Sequence, residues 1–428
     1  MNCDKYKNGN IAMSLLLKYG AWIGAAIIAF GLPAIVRSSY GLSLLSQVGI
    51  AIIFALSYNM LLGQGGMLSF GHAVFYGLGG FLTIHVINII NGGSLPIPLE
   101  LVPLAGGFGA LLFGIVFGWI STKRAGTTFA LISLGIGELI ASSALMLPSF
   151  FGGEEGISGD RMLETTLTWF EFGQQIDVYY LIAFWMLVSM VLMYLLTQTP
   201  LGRLANAVRD NPVRTPFIGY DVHRVRTIQY ALSSLFAGVA GGLFAINYEI
   251  LTAETIGAIE SGNVLMMTYI GGVGHFFGPI LGAVLVTFMQ ISLSNITHAW
   301  LLYFGLLFMG MVLWAPNGLA GIIMVHEPVW KAKLMKKLLP GYALAAIPAL
   351  VLFLGVMILI EINYHLSLSI NPDAPMHMFG IEFDARAPVA WGISIVLIVV
   401  GFVFLRRTVK TLNRSWQEIT QIMKEGAD

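Results

Sequence analysis

The chain has 428 residues, of which 57% are hydrophobic and only 10% are charged, with 22 basic and 22 acidic side chains that cancel. Soluble domains are about a quarter charged, so this composition excludes a string of soluble domains, and the balanced charge excludes nucleic acid as a partner. The 50 glycines and the mean hydropathy of +0.81 are typical of a polytopic helical membrane protein. The single cysteine, Cys3, excludes a disulfide framework and a cysteine metal site.

Several stretches of the chain are apolar over the roughly 20 residues that a helix needs to cross a bilayer. They lie at residues 19–36, 43–62, 67–90, 101–121, 126–147, 178–196, 227–247, 300–323, 341–361 and 388–405. A Gly-rich stretch at 263–297 contains the run from Gly271 to Pro279, which predicts two short helices or a re-entrant segment beside a transport path. A close packing seam of small residues is the alternative. The predicted fold is an all-α polytopic membrane protein with about 10–12 transmembrane helices.

The basic residues predict the orientation, because short cytoplasmic loops collect Lys and Arg. When the spans alternate from a cytoplasmic N-terminus, all of the 22 basic residues except Arg37, Arg161 and Arg386 fall on the cytoplasmic side. No small-residue cleavage site precedes Arg37, so the first span is interpreted as a retained helix rather than a signal peptide. Both termini are therefore predicted to be cytoplasmic.

Three regions are predicted along the chain. Residues 1–42 form a cytoplasmic leader and the first membrane helix, 43–325 form a membrane core with a cytoplasmic loop at 197–226, and 326–428 form an extension with two further spans and a cytoplasmic tail. No soluble segment exceeds about 30 residues, which is too short for a catalytic domain. The phosphate-loop pattern G-x-x-x-x-G-K-[ST] does not occur in the sequence. The chain is therefore predicted not to be an enzyme and to carry no cofactor of its own.

Glu138 is the acidic residue that the span assignments place at membrane depth. A carboxylate at the bilayer centre costs roughly 2.5–3.5 kcal/mol on insertion scales, so Glu138 is expected to face the bundle interior or a cavity. There it either lines a pathway or gate, or makes a hydrogen bond between helices. The histidines near membrane depth have no i, i+4 pairing and no carboxylate cluster, which favours packing roles over a metal site. These histidines are His72, His85, His275 and His298.

The segment from Gly63 to His72 joins two apolar stretches, and half of its ten residues are glycine or serine. This composition favours a broken helix whose free backbone groups lie near a cavity, with a plain flexible turn as the alternative. The helix ends at the two predicted breaks, near Gly66 and Gly274, are candidate binding places for the charged groups of a substrate.

The inner loop at 197–226 contains the clearest soluble element. Pro200 suits the first position of a helix, apolar residues then recur at helical spacing as far as Val208, and Asn211-Pro212 ends the pattern. Such an amphipathic helix either packs into a groove on a cytosolic partner or rests on lipid headgroups. The outer loop at 148–177 is acidic and turn-rich, which is typical of a solvated loop or of a docking face for an extracytoplasmic partner.

Five segments, in the same order, resemble the permease subunits of bacterial branched-chain amino acid ABC importers. They are Gly66–Gly77 (GMLSFGHAVFYG), Leu131–Glu138 (LISLGIGE), Gly152–Ser158 (GGEEGIS), the inner loop 199–221 continued into Ser233–Gly242 (SSLFAGVAGG), and Gly271–Gly282 followed by Trp314–Gly321 (WAPNGLAG). Each segment is weak alone, and the shared order over residues 43–325 is the specific signal.

The resemblance implies a subunit of an ATP-driven importer in the bacterial inner membrane, carrying branched-chain or related small amino acids into the cytoplasm. The implied partners are a second homologous permease, two cytoplasmic ATPase subunits that bind ATP and magnesium, and an extracytoplasmic substrate-binding protein. The inner loop would be the helix that couples the permease to an ATPase. The family's Glu-Ala-Ala pattern is replaced by residues 213–216 (VRTP), and only the later glycine agrees well. The implied coupling residues are Arg203, Arg209, Asp210 and Gly219.

The predicted substrate pathway comprises Ser69, His72, Glu138, Gly274 and His275. Two alternatives stay open. The same machinery would also suit urea, short amides or aromatic acids, and a stand-alone secondary transporter is a different class, although the scarcity of membrane carboxylates speaks against proton coupling. The extension 326–428 departs from the resemblance and is expected to anchor or pack against other subunits.

Overall fold

The computed structural model of the chain describes residues 20, 22–93, 96–162, 171–368, 376–378 and 381–425. Among these residues, eight helices are long and apolar enough to cross a membrane, or nine if the bent pair Trp300–Trp314 and Gly318–Lys331 counts as one span. The predicted all-α polytopic fold is confirmed. The chain forms two compact units, one of residues 1–292 with 308–321 and the other of residues 293–307 with 322–428.

The first unit contains the membrane helices that precede the extension, and the predicted leader at 1–19 lies outside its described residues. Its helices are α1 (Trp22–Ile35), α2 (Ser39–Asn59), α3 (Ala73–Asn91), α4 (Val102–Ser121), α5 (Thr127–Met146), α6 (Pro148–Phe151), α7 (Gln175–Gln198), α8 (Pro200–Asp210), α9 (Val222–Tyr248), α10 (Ala258–Gly271) and α11 (Gly278–Ser294). Single turns of other helix types lie at Met60–Gln64 (π) and at Leu99–Leu101, Thr215–Ile218 and Ala253–Ile256 (3-10). The strands β1 (Ile157–Ser158) and β2 (Ile250–Leu251) pair antiparallel. Helices α12 (Trp300–Trp314) and α13 (Gly318–Lys331) follow, and each has residues in both units.

Glycines allow α3, α4 and α9 to pack with their backbones in contact. A methyl group on Gly238 would lie 2.6 Å from the carbonyl oxygen of Gly106, and one on Gly241 would collide with the carbonyl oxygen of Tyr76. Small residues at such seams are how membrane helices approach closely, since no hydrophobic force drives apolar helices together within lipid. Many of the 50 glycines therefore serve packing, and α3 and α9 form the buried centre of the unit.

The predicted break in 263–297 is confirmed, because α10 and α11 are separate helices joined by residues 272–277. Two other span predictions are wrong in part. Residues 67–72 of the predicted span 67–90 are not helical, and α3 begins only at Ala73. The predicted span 300–323 breaks between α12 and α13 with a bend of 45°.

The break after α12 has a local cause. Pro316 provides no backbone N–H and disfavours helical geometry in the residue before it. Gly318 then has a φ of +67°, and a Cβ there would lie 2.5 Å from the backbone nitrogen of Gly272. The chain turns at this point so that two backbone segments can touch.

The second unit is built on two long helices, α14 (Met335–Leu368) and α15 (Pro388–Glu425), which pack along each other. The predicted spans 341–361 and 388–405 lie within them. The strands β3 (Met376–Met378) and β4 (Ile381–Phe383) form an antiparallel pair between the helices in the chain. The intervening residues 369–375 and 379–380 lie outside the described part of the chain.

The assignment of Glu138 as the acidic residue at membrane depth was incomplete, because Glu361 also lies inside a span, α14. Its Oε1 accepts hydrogen bonds from Thr297 Oγ1 at 2.6 Å and from the Tyr303 hydroxyl at 2.9 Å. Two hydroxyl donors replace the water that a carboxylate loses at this depth.

Candidate functional site: an interior polar layer and the inner-loop helix

Helix α8 is the amphipathic helix that the inner loop predicts. Thr199 caps it by accepting a hydrogen bond from the Gly202 backbone N–H at 3.3 Å, and Pro200 occupies its first position. Its buried face carries Gly202, Ala205 and Val208. The loop around it is shorter than the predicted 197–226, because α7 continues to Gln198 and α9 starts at Val222.

Arg209, at the end of α8, points back towards the membrane helices of the first unit. Its Nη1 donates a hydrogen bond to the carbonyl oxygen of Gly63, and its Nε donates to Asp210 Oδ1 at 2.9 Å. Gly66 beside it has a φ of +65°, and a Cβ at Gly66 would lie 2.7 Å from the Arg209 Cγ. Only glycine satisfies both the left-handed backbone and the contact with this side chain. The break after α2 is therefore fastened to the inner-loop helix.

The same break is also fastened to α9 by a residue that sequence reasoning missed. Gln229 Nε2 donates to the carbonyl oxygen of Met60 at 2.8 Å and to Gln64 Oε1 at 3.3 Å. Both acceptors belong to the π-helical turn 60–64, whose widened backbone leaves carbonyl groups open to side chains. The sequence signal for this contact was Gln229 itself, because a glutamine within a largely apolar span needs hydrogen-bond partners in the bundle.

The predicted coupling residues Arg203 and Gly219 lie at the surface. Gly219 has a φ of +84° and ends the 3-10 turn 215–218. The same segment exposes apolar side chains that sequence reasoning did not single out: Val213 at 73%, Phe217 at 85% and Ile218 at 62%. Exposed apolar side chains beside a basic amphipathic helix are typical of a protein-binding surface.

His72 is fully buried where α3 begins. The Ser57 hydroxyl lies 2.7 Å from the Phe54 carbonyl oxygen and 3.1 Å from His72 Nε2, within hydrogen-bonding distance of both. The other ring nitrogen, Nδ1, has no hydrogen-bond partner among the described residues, and it is an acceptor in the tautomer in which Nε2 donates to Ser57. An acceptor without a partner inside a membrane bundle is a candidate contact for a ligand N–H group.

The backbone between Ser69 and Ala73 is satisfied by hydroxyl groups from three other helices. Tyr58 of α2 donates to the Ser69 carbonyl oxygen at 2.8 Å. Ser133 of α5 accepts from the Phe70 N–H at 3.0 Å, and Ser261 of α10 accepts from the Ala73 N–H at 3.1 Å. These residues, with Ser57 and His72, form what we call the interior polar layer. Broken backbone at membrane depth is tolerated where protein covers it in this way.

The remaining predicted pathway residues are not in this layer. Gly274 and His275 lie in the α10–α11 turn, where the adjacent Phe276 packs on Tyr194, near the end of α7 that leads into α8. Glu138, which was expected to face the bundle interior or a cavity, is exposed on α5 and so does not face the interior of this chain's own bundle. Its neighbour Gly137 takes the buried position instead, against Gly71. One residue step, which is about 100° around the helix axis, separates a residue that packs inward from one that points outward.

The turn-rich outer loop lies at the end of the unit opposite α8, and a strand pair and several hydrogen bonds hold it there. β1 pairs with β2, and Asn88 donates to the Ser158 carbonyl oxygen at 3.1 Å. Arg161 donates to the Phe172 carbonyl oxygen at 3.0 Å, and its backbone N–H donates to Glu249 Oε1 at 3.0 Å. Residues 163–170 of the predicted loop lie outside the described residues.

The described residues contain no group of three or more His, Cys, Asp or Glu side chains placed to hold a metal ion. The features that are present are a helical bundle with a broken helix, an interior layer of hydroxyls around a histidine, and an amphipathic helix fastened to the break. They define a polytopic membrane permease.

Comparison with known proteins identifies the family. Residues 40–316 match the family described as "Branched-chain amino acid transport system / permease component". The chain therefore belongs to the branched-chain amino acid ABC transport permeases, as the five sequence segments predicted. Residues after 316, including α14 and α15, lie beyond the matched region.

Individual relatives agree with this family. The chain is 28% identical to the high-affinity branched-chain amino acid transport system permease protein LivM of Salmonella typhimurium, over 68% of this chain and 72% of the relative. It is 27% identical to LivM of Escherichia coli K12, over 69% and 73%. The permease protein LivH of Salmonella typhimurium is also similar, at 22% identity over 55% of this chain and 78% of the relative. No solved structure matches the chain.

Proposed function

We propose that this chain is one permease subunit of an ATP-driven importer that carries branched-chain amino acids across the bacterial inner membrane into the cytoplasm. Its partners are a second, homologous permease, two cytoplasmic ATPases that bind ATP and magnesium, and an extracytoplasmic binding protein. The existence of both LivM and LivH relatives supports the permease pair. The basic residues support cytoplasmic termini, by the positive-inside rule.

The observation that carries the proposal is the attachment of α8 to the break after α2. An ATPase that grips the exposed side chains around Phe217 and moves α8 also moves Arg209. Arg209 is bonded to the Gly63 carbonyl, so the displacement reaches the π-helical turn and the segment that leads to His72. Two distant sites are coupled when one structural element is bonded to both of them and can adopt two alternative arrangements. Helix α8 is proposed to be that element.

The interior polar layer is the proposed place where substrate passes. A branched-chain amino acid is a small zwitterion with an aliphatic side chain. Its ammonium group suits His72 Nδ1 as acceptor, and the apolar helices suit its side chain. Urea, short amides and aromatic acids meet the same chemistry, and the family match favours the amino acid.

Glu138 supports the pairing of two permeases. It lies on a face of α5 that is otherwise apolar, with Leu131, Leu139 and Met146 exposed at 67%, 60% and 78%. Exposing this carboxylate to lipid is unfavourable in free energy. Contact with a second permease, or with a water-filled path between two permeases, avoids that unfavourable exposure.

The test is to co-express the chain with candidate ATPases and a second permease, and to measure ATPase retention and uptake. Phe217→Ala is expected to release the ATPases and abolish uptake while the permease pair stays intact. The matched control is Leu195→Ala, which truncates an apolar side chain exposed at 53% on the neighbouring helix α7. A purified chain that transports alone, without ATP, would instead establish the secondary-transporter class.

A further inference from the structure

Helix α15 becomes basic where its predicted apolar span 388–405 ends. Four basic residues, which we call the basic stripe, follow within three turns, and all four side chains are exposed: Arg406, Arg407, Lys410 and Arg414. The sequence has no acidic residue between Pro388 and Gln417. Within the described part of the chain, the ion pairs include none of these four residues. The positive charge of the stripe is therefore not compensated by this chain.

The basic stripe lies on the face of α15 that is turned away from α14. At about 100° per residue, Arg406, Lys410 and Arg414 fall within about 80° of one another around the helix axis. The opposite face carries Leu412, which contacts Gly341 of α14. The packing of α15 in its own unit therefore leaves the stripe open to a partner.

The same face of α15 is apolar further inside the span. Val399 and Val403 precede Arg406 and Lys410 by two helical turns, which is about 10 Å along the axis. Their side chains are exposed at 55% and 43%. One face of α15 thus offers apolar side chains at the depth of acyl chains and positive charge at the depth of lipid headgroups.

Helix α14 supplies no counter-ion at this level. A Cβ on Gly401 would lie 2.6 Å from the Leu352 backbone nitrogen, and the two helices run antiparallel, so Ile347 is level with Arg406. Ile347 is exposed at 67%, and α14 has no acidic residue before Glu361. The first arginine of the stripe is therefore level with a side chain that suits lipid. A cation at the edge of the hydrocarbon is costly unless an anion pairs with it, and this geometry favours an anion that brings its own apolar chains.

We propose that the basic stripe binds an anionic phospholipid of the cytoplasmic leaflet, one with a glycerol headgroup. Its phosphate pairs with Arg406 and Lys410, and its acyl chains lie along Val399 and Val403. A guanidinium group suits phosphate because its planar N–H groups bind two oxygens at once. A phospholipid with an ethanolamine headgroup presents an ammonium group to the stripe and is disfavoured. This surface lies in the second unit, beyond the residues that match the permease family.

The experiment uses the full chain with its co-purified subunits, in nanodiscs with equal amounts of glycerol and ethanolamine phospholipids. Native mass spectrometry counts each lipid that stays bound, and this count does not depend on transport. Each basic residue near a membrane surface favours an anionic lipid by about fivefold. The wild type is expected to retain mainly the glycerol lipid. The double variant Arg406→Gln with Lys410→Gln is expected to lower this preference by about tenfold or more.

Two further double variants control for net charge and for local structure. Lys336→Gln with Lys337→Gln removes the same charge from the start of α14, where Lys337 is level with Trp416 and about 15 Å beyond Arg406. Exposed charges separated by more than a Debye length of about 8 Å are largely screened, so this variant is expected to keep the preference. Arg406→Lys with Lys410→Arg keeps both charges and is expected to keep most of it.

Three results would overturn the proposal. Equal retention of both lipids by the wild type would mean that the stripe faces water or another subunit. Equal losses in the two variants that remove charge would reduce the effect to net charge. Displacement of the bound lipid by an equal concentration of soluble glycerol 3-phosphate would show that the acyl chains contribute nothing.

Discussion

Arg209 of α8 donates a hydrogen bond to the carbonyl oxygen of Gly63, which lies 146 positions earlier in the chain. One of these residues belongs to the soluble inner loop and the other to the π-helical turn that ends α2. The bond joins the surface proposed to receive the ATPases to the membrane segment that leads to His72.

Replacing Arg209 is expected to uncouple ATP hydrolysis from transport. In Arg209→Ala the Gly63 carbonyl loses a charged donor, and removal of such a bond costs about 1.5–3 kcal/mol. We expect uptake to fall at least tenfold while the ATPases stay bound and hydrolyse ATP. Arg124→Ala, which removes an exposed basic residue from the α4–α5 loop, is expected to transport normally. Unchanged uptake in Arg209→Ala would refute the attachment as the coupling route.

Gly66→Ala tests whether the turn beside Arg209 needs glycine. The new Cβ is strained at a φ of +65° and meets Arg209 Cγ at 2.7 Å, so the substitution is expected to cost about 1–2 kcal/mol in unfolding free energy. Thermal unfolding of the purified protein measures this loss. Gly274→Ala has open space around its Cβ and no positive φ, and it is expected to leave the melting temperature within error. Equal effects of the two substitutions would contradict the assignment.

Gly241→Ala tests the seam between α3 and α9. The added methyl group meets the carbonyl oxygen of Tyr76, which belongs to a helix backbone and cannot move aside alone. Overpacking of this kind costs about 1–3 kcal/mol, and we expect a lower melting temperature and reduced insertion yield. Gly135→Ala, on the exposed side of α5, adds the same methyl group with nothing within 4 Å. An unchanged melting temperature in Gly241→Ala would mean that α3 and α9 are too far apart for Gly241 to contact the Tyr76 carbonyl oxygen.

His72→Phe tests the interior polar layer. The ring keeps most of the volume of the side chain but removes Nε2, which Ser57 binds, and Nδ1, the proposed contact for substrate. We expect uptake to fall at least tenfold while assembly with the ATPases is retained. Substrate-stimulated ATP hydrolysis separates this from a coupling defect. His85→Phe, which breaks only a hydrogen bond to the Phe150 carbonyl at the opposite end of the unit, is the control and is expected to keep most of its uptake.

The fold was largely predictable because hydropathy and length decide which segments enter a bilayer. The breaks at Gly63–His72 and Gly271–Pro279 were also visible, since glycine and proline interrupt helices by local backbone effects. The split after α12 was missed, although Pro316 carried the same signal. Helix α8 followed from Pro200, the apolar spacing and the proline after Asn211.

The sequence by itself determined the class of protein, the approximate spans, the amphipathic inner-loop helix and the family, because these depend on composition, local periodicity and short motifs. Only the tertiary structure decided that Arg209 turns inward, that Glu138 points outward, and that the Ser261 hydroxyl caps the start of α3 from 188 positions away. The spacing of residues along a helix predicts which of them share a face. Which neighbour that face meets depends on how distant helices pack, and packing places hydroxyls and amides against whatever backbone the breaks leave unpaired.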